Sequence, residues 1–333
     1  MKQLQIGRSR NVIIFFIFAF VILGGAAFSQ GADYPTKPIK LYVPYGAGGS
    51  TDIAARMLVS VIPEFLGQPV VVVNKPGAAG SVCFDFVRKE KADGYSMMMD
   101  SIGATILYAA MNPKLPFSYD QHTYIARVEV LSNALVVKPD APWKTFAELV
   151  EYLKANPGKS RYSTAGVGTT QHLGGVVMLE ELGLPASAAE PVHYDSSAAA
   201  VLAVMQGEVD FCLNNFPAVG AQLKAGKLRG LAVTNAERID KYPDIPTFTE
   251  LGYPGIDTIS WIGVGGPPGL SETVVKKWEE AVSQSCNSKA WIKMVENLEV
   301  TSSFMGHKEM TEYVNREFKR YRKLYEELGL LMK

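Results

Sequence analysis

Two α/β domains built around mostly parallel sheets are what this sequence predicts, and three observations predict them. Short apolar runs alternate with helical patterns from Ile39 onward, the signature of βα units. Two glycine-rich turns, Gly46–Gly49 and Ala165–Gly168, each follow a strand pattern and open a helix pattern. The chain has 333 residues, and a domain of ordinary size takes roughly 150.

The elements follow in order. Ile39–Tyr45 reads as a strand, and a helix opens at Ser50 or Thr51 with Ile53, Ala54, Met57, Leu58, Val61 and Ile62 on one face. Pro63 should kink or end that helix, because it has no N–H and clashes with the preceding turn. Val70–Asn74 is a buried strand, Pro76–Gly80 a turn and Tyr95–Asp100 a third strand. A second series starts near Leu135, and Thr145-Phe146-Ala147-Glu148 is a capping box whose helix stops at Asn156-Pro157-Gly158. Tyr162–Thr164 is a strand, Thr169 opens a helix, and Ala198–Gln206 is a helix closed by Gly207. Val209–Leu213 and Leu228–Thr234 are strands, and Tyr242–Gly255, with its prolines and glycines, is a long connection. After a turn at Gly265–Gly269 the rest is helical, over Glu272–Ser285, Ala290–Asn297 and Lys308–Gly329. The last helix carries a stripe of Met310, Tyr313, Val314, Phe318, Tyr321 and Leu324.

Residues 1–29 read as a cleavable signal peptide. Lys2, Arg8 and Arg10 form a basic start, Val12–Leu23 is an unbroken apolar run, and small residues follow at Gly24–Ala27. Cleavage after Ala27 or Ser29 fits, and the run falls short of the roughly 20 residues that span a bilayer. The expected compartment is the periplasm.

Composition excludes several classes. Lys+Arg and Asp+Glu both number 33, so the chain lacks the basic excess that nucleic-acid binding needs. Removing three N-terminal cations leaves the mature chain mildly acidic. Cys83, Cys212 and Cys286 are too few and too scattered for a disulfide scaffold or a zinc site and read as buried small hydrophobes, although export would permit one pair. His122, His172, His193 and His307 show no metal-ligand spacing, and no G-x-S-x-G occurs. His172 as a catalytic base lacks any recognisable nucleophile, so neither an enzyme nor a cofactor is expected.

What the glycine turns can do is hold an anion. Backbone N–H groups at a helix N-terminus bind carboxylate or phosphate without any lysine or arginine. Gly46-Ala47-Gly48-Gly49-Ser50-Thr51-Asp52 is neither a Walker loop nor a dinucleotide fingerprint, and by itself reads equally well as a tight capped turn. Gly49 is expected to use its freedom of φ there. Ser163 through His172 repeats the device with more hydroxyls, among them Thr169 as a candidate donor. Ligands in α/β folds sit at the carboxyl ends of the strands, where both turns lie.

Longer strings make the resemblance specific. Tyr34-Pro35-Thr36-Lys37-Pro38-Ile39, Leu66-Gly67-Gln68-Pro69-Val70, Asn74-Lys75-Pro76-Gly77-Ala78, Gly207-Glu208-Val209-Asp210, Ala225-Gly226-Lys227-Leu228-Arg229 and Pro243-Asp244-Ile245-Pro246-Thr247 join the two turns and Trp261. Together they resemble Bug-type receptors, the extracytoplasmic solute-binding proteins of tripartite tricarboxylate transporters. The resemblance implies a type II periplasmic-binding-protein fold with a two-stranded hinge, crossed near Leu131–Leu135 and again near Asp257–Ile262. Domain 1 would then be residues 33–132 plus 257–333, and domain 2 residues 133–256. It also implies a small carboxylated solute in the cleft, delivered to membrane subunits of the transporter, with the receptor itself a monomer. A sensor that presents the closed form to a receptor kinase would have the same fold and pocket.

The candidate ligand contacts are Tyr45, Ala47, Gly48, Gly49, Ser50, Thr51 and Asp52 in the first turn and Ser101 after the third strand. From the second domain come Ser163, Gly166, Gly168, Thr169, Thr170 and His172, then Tyr194, Ser196, Ser197, Ala198 and Asn214. Ala47, Asp100, Asp195, Ser196 and Ala199 depart from the family's usual residues. Pointing to solvent, Asp100 and Asp195 would leave the solute unconstrained; facing the cleft, two extra acids would disfavour a trianion. They would suit a monocarboxylate, a dicarboxylate with one distant carboxylate, or a solute carrying an amine.

Overall fold

The computed structural model describes residues 34–332, so the signal-peptide reading lies outside the described residues. In the first lobe β1 (Ile39–Val43) leads through the first glycine turn into α1 (Ser50–Val61). Pro63 acts as expected: α1 ends at Val61, and Pro63 starts the short α2 (Pro63–Leu66) as a proline in its first turn. Then come β2 (Val70–Asn74), α3 (Ser81–Val87) and β3 (Ser96–Ser101). A π-helical turn at Gly103–Leu107 runs into α4 (Tyr108–Met111), and β4 (Thr123–Leu131) carries the chain to the second lobe.

The second lobe contains β5 (Asn133–Val137), α5 (Phe146–Ala155), β6 (Ser160–Thr164), α6 (Thr170–Glu181), β7 (Ala189–His193), α7 (Ser197–Gln206), β8 (Phe211–Asn215), α8 (Phe216–Lys224) and β9 (Arg229–Val233). The chain then returns to the first lobe with β10 (Ser260–Gly266), α9 (Glu272–Cys286), α10 (Lys289–Asn297), β11 (Thr301–Met305) and α11 (His307–Glu327). The sheets run in the orders β11-β4-β10-β3-β1-β2 and β7-β6-β8-β5-β9.

Neither sheet is mostly parallel. β1 pairs parallel with β2 and β3, but β10 runs antiparallel to both β3 and β4, and β5 runs antiparallel to both β8 and β9. β10 and β5 are the strands that enter from the other lobe and so reverse the βα winding that local periodicity reports, and β11 adds a further antiparallel pairing to β4 at the sheet edge. The two connections lie side by side, with Ser260 opposite Leu131. Asn133 ties them together, its Nδ2 donating to the Thr258 carbonyl at 2.7 Å and its N–H to Thr234 Oγ1 at 2.9 Å.

Part of β10 reads as a turn in the sequence because Gly263, Gly265 and Gly266 crowd it. The structure gives the first two a packing reason: a Cβ at Gly263 would strike the Ala126 carbonyl, and one at Gly265 the His122 ring and the Asp100 carboxylate. Trp278 and Trp291 fill the first lobe beside α1, α9 and α10, and the stripe of α11 packs on Trp261 and Leu107. Cys83, Cys212 and Cys286 are unpaired and lie in three separate apolar clusters.

Candidate functional site

The first glycine turn is set by one carboxylate. Asp52, buried in the first turn of α1, accepts from the Gly48 N–H at 2.8 Å, from Arg56 Nε at 2.9 Å and from Asn74 Nδ2 at 2.8 Å. Asn74 also donates to the Tyr45 carbonyl at 3.0 Å, which fastens the turn to the end of β2. Burial opposes ionisation of Asp52, but the bonds from Arg56, Gly48 and Asn74 outweigh it and hold the carboxyl below its usual value. Gly48, at φ +77°, is the residue that needs glycine, whereas Gly49 sits at φ −75° as the N-cap of α1. The expected left-handed role therefore belongs to Gly48.

An N-cap glycine offers no side-chain acceptor, so α1 starts without a side-chain cap. The helices facing it are capped: Thr169 Oγ1 accepts from the His172 N–H at the start of α6, and Ser196 Oγ accepts from the Ala199 N–H at the start of α7. Residues from four helix starts line one cavity between the lobes: Gly49, Ser50 and Thr51 of α1, Thr169, Thr170 and Gln171 of α6, Ser197 of α7, and Asn215 before α8. Each N-terminus contributes about half a positive charge. Tyr45, Ser101, Gly103, Leu131, Ala165, Ser260, Trp261 and Ile262 complete the wall, which contains no charged side chain.

The lobes are closed on each other. The Gly46 N–H donates to the Asp195 carbonyl at 3.0 Å, and Thr170 Oγ1 lies 2.7 Å from Ser260 Oγ across the gap. Only about 20 Å³ of the cavity is open to the centre of a water-sized sphere. That is room for about one water. A larger solute can enter only if the lobes part.

Of the candidate residues, Tyr45, Gly49, Ser50, Thr51, Ser101, Thr169, Thr170 and Ser197 reach the cavity. Ala47 and Gly48 sit exposed at the rim with Ala198 opposite, and Asp52 lies behind the turn. Ser163 Oγ donates to the Ala200 carbonyl at 2.6 Å, joining β6 to α7. The Gly166 carbonyl accepts from Thr169 Oγ1 at 2.8 Å, so that hydroxyl is committed within the turn and is not the free donor expected of it. The Gly168 N–H donates to His172 Nδ1 at 3.2 Å, which places both as supports of the turn. Tyr194 reaches outward to Glu208 at 3.1 Å, Ser196 caps α7, and Asn214 donates to the Ser197 carbonyl at 3.2 Å from behind the wall.

The residues the sequence reading missed have two origins. Gln171 and Asn215 adjoin chosen residues, and Asn215 precedes Phe216-Pro217 as an N-cap, a signal that could have found it. Ser260, Trp261 and Ile262 belong to β10, whose strand character its glycines obscure.

Neither extra acid puts its carboxylate into the cavity. Asp100 points into the first lobe, 1% exposed, and pairs with His122 Nε2 at 2.9 Å beneath Gly265. Burial pushes its carboxyl upward, opposed by His122. Asp195 is exposed, and its backbone carbonyl, not its carboxylate, meets the other lobe. With neither carboxylate on the cavity wall, the reason to favour an amine-bearing solute disappears.

His172 carries a pH prediction. Burial, with a smaller contribution from His193, pushes it down to about 4 from 6.5, so the folded protein keeps it neutral. Between those values the unfolded chain binds a proton that the folded one refuses. Its contribution is therefore full above pH 6.5 and lost as pH falls toward 4, by about 3 kcal/mol at most. Urea unfolding at pH 7 and pH 4.5 should show wild type losing more stability than His172→Gln. Equal losses would mean that His172 is protonated in the folded state.

Two α/β lobes, joined by paired crossings and closed over a cation-free cavity at converging helix starts, define a solute-binding protein of the periplasmic type. The comparisons with known proteins narrow this further. The model of the tripartite tricarboxylate transporter family receptor, TctC, matches residues 54–330, and the chain belongs to that family. It is 32% identical over 313 residues to a UPF0065 protein of Bordetella pertussis, covering 94% of this chain and 96% of that one. The structure of the periplasmic binding protein BugD superposes with a TM-score of 0.84 at 26% identity, covering 90% of this chain and 100% of that one. R. palustris Rpa4515 with adipate gives 0.84 at 28% identity, covering 89% and 99%. These are substrate receptors, not enzymes, which closes the catalytic reading of His172. No helix among the described residues is long and apolar enough to cross a membrane.

Proposed function

We propose that this receptor works in the periplasm, captures a small carboxylated solute between its lobes and delivers it to the membrane subunits of a tripartite tricarboxylate-type transporter. The observation that carries the reading is the convergence of four helix starts on a cavity with no charged side chain. Such a wall favours an anion through N–H dipoles and hydroxyls. The adipate held by a relative at 28% identity supports the same solute class. Residues 1–29 supply the export signal in this reading, and their removal predicts a mature N-terminus just after Ala27 or Ser29.

Because the closed cavity is so small, the free protein in solution must spend time open, with residues 131–135 and 257–262 absorbing the motion. A thermal-shift screen of short mono- and dicarboxylates should find a stabilising acid, by roughly 2.7 kcal/mol at 100 times its Kd. Small-angle scattering with that acid should then show a smaller radius of gyration than without it. An unchanged radius at saturation would rule out closure on the solute.

A further inference from the structure

The polar groups of the cavity wall are largely paired with one another. Thr170 and Ser260 share a hydrogen bond, Tyr45 Oη donates to the Ala79 carbonyl at 3.2 Å, and Gln171 Nε2 donates to Asn215 Oδ1 at 3.0 Å. Two buried groups among the wall residues have no partner among the described residues: Ser50 Oγ and Trp261 Nε1. Ser50 is 3% exposed and Trp261 1%. The other fully buried indoles differ in this respect. Trp278 Nε1 donates to Tyr34 Oη at 2.7 Å and Trp291 Nε1 to Ser302 Oγ at 3.0 Å. The other two tryptophans under 2% exposed thus have acceptors for their N–H groups, and a buried donor left alone costs free energy.

We propose that Trp261 is a specificity-determining residue, whose indole N–H donates to a second acceptor on the solute while the first sits at the uncapped start of α1 beside Ser50. The inference rests on the reading of the cavity as the solute site and goes further, because the two groups differ in kind. A serine hydroxyl rotates to donate or accept, whereas an indole N–H only donates. The Trp261 end therefore accepts a carboxylate, carbonyl or hydroxyl oxygen and penalises an ammonium, which would leave two donors facing each other. Asp100, the acid that could have received an ammonium in this region, is turned away and held by His122. The solute class is a short acid with an oxygen acceptor at its far end.

The test reads the indole directly. The chain has four tryptophans, so an ¹⁵N spectrum resolves few indole signals, and Trp261→Phe identifies the one that matters. The probes are succinate, glutarate and adipate against the ω-amino acids and monoacids of the same chain length. At saturation with the best diacid the Trp261 indole proton should move downfield, and that diacid should bind at least about tenfold tighter than its ω-amino counterpart. In Trp261→Phe the gap should shrink severalfold. If that variant unfolds, the wild-type indole shift and the ligand preference still decide. Diacid binding that leaves the Trp261 signal unmoved, or an ω-amino acid bound as tightly, overturns the role of Trp261 while the carboxylate reading stands. Binding by none of the acids overturns both.

Discussion

Replacing Gly49 with valine is expected to weaken solute binding by more than about a hundredfold while leaving the fold intact. Gly49 has φ −75° and ψ 167°, angles open to any residue, so the substitution adds no backbone strain. Glycine is a good N-cap and valine a poor one, so the unfolding free energy should fall by about 1 kcal/mol, too little to unfold the domain. The effect is steric. A Cβ at this position would lie 3.3 Å from both Ser196 Cβ and the Ser197 nitrogen on the opposite lobe, already tight before any methyl is added. Valine's methyl groups would enter the seam between the starts of α1 and α7, where the lobes meet and where we propose the solute's anionic end sits. Calorimetry on wild type, Gly49→Ala and Gly49→Val should give a graded loss, with urea unfolding as the control. Wild-type affinity in the valine variant would move the site away from this turn.

The second large effect is expected at Asp52. Its side chain is 2% exposed against 55% for Arg56, so the ion pair as such adds little and the bonds from Gly48 and Asn74 matter more. Asp52→Ala leaves the Gly48 N–H and the Asn74 amide without their acceptor, and should cost about 3 kcal/mol of stability. The folded pKa lies below the unfolded one. The contribution is thus complete above about pH 4 and disappears as pH falls through the folded value. Affinity should fall too, because the turn that presents the N–H groups of α1 loses its anchor at Gly48. Urea unfolding of the variant at pH 7 measures the first effect. A midpoint unmoved from wild type would show that the turn holds itself by backbone geometry alone.

How much is legible follows from the range over which each signal acts. The glycine turns, the capping box at Thr145, the stop at Pro63 and the stripe of α11 are set by neighbours within about one helical turn, and periodicity reports them. Thr145 Oγ1 indeed accepts from the Glu148 N–H at 3.3 Å. β4, β7 and β11 escape such a reading, and so do α3, α8 and the helical stretch from Gly103 to Met111. β4 and β11 pair with strands distant in sequence, and β10 carries glycines that only contacts with Ala126, His122 and Asp100 explain.

The sequence by itself determined the class of this protein. Strand-glycine-helix turns, neutral composition and the family strings depend on which residues stand next to which, and they point to a solute-binding receptor of the TctC family. Tertiary structure alone decided which candidate side chains face the solute's place. Inside the turns Gly48, Gly166 and Gly168, three or four residues away, engage Asp52, Thr169 and His172, and only Asn74, brought to Asp52 from 22 residues on, is a tertiary partner there. Asp100 turned inward because His122, which follows it by 22 residues, offered a buried partner. Outside the turns, whether a polar group is free or already bonded depends on atoms brought in from elsewhere in the chain, as His122 is to Asp100. That is why Trp261, unremarkable within its own strand, becomes with Ser50 one of two wall groups without a partner among the described residues.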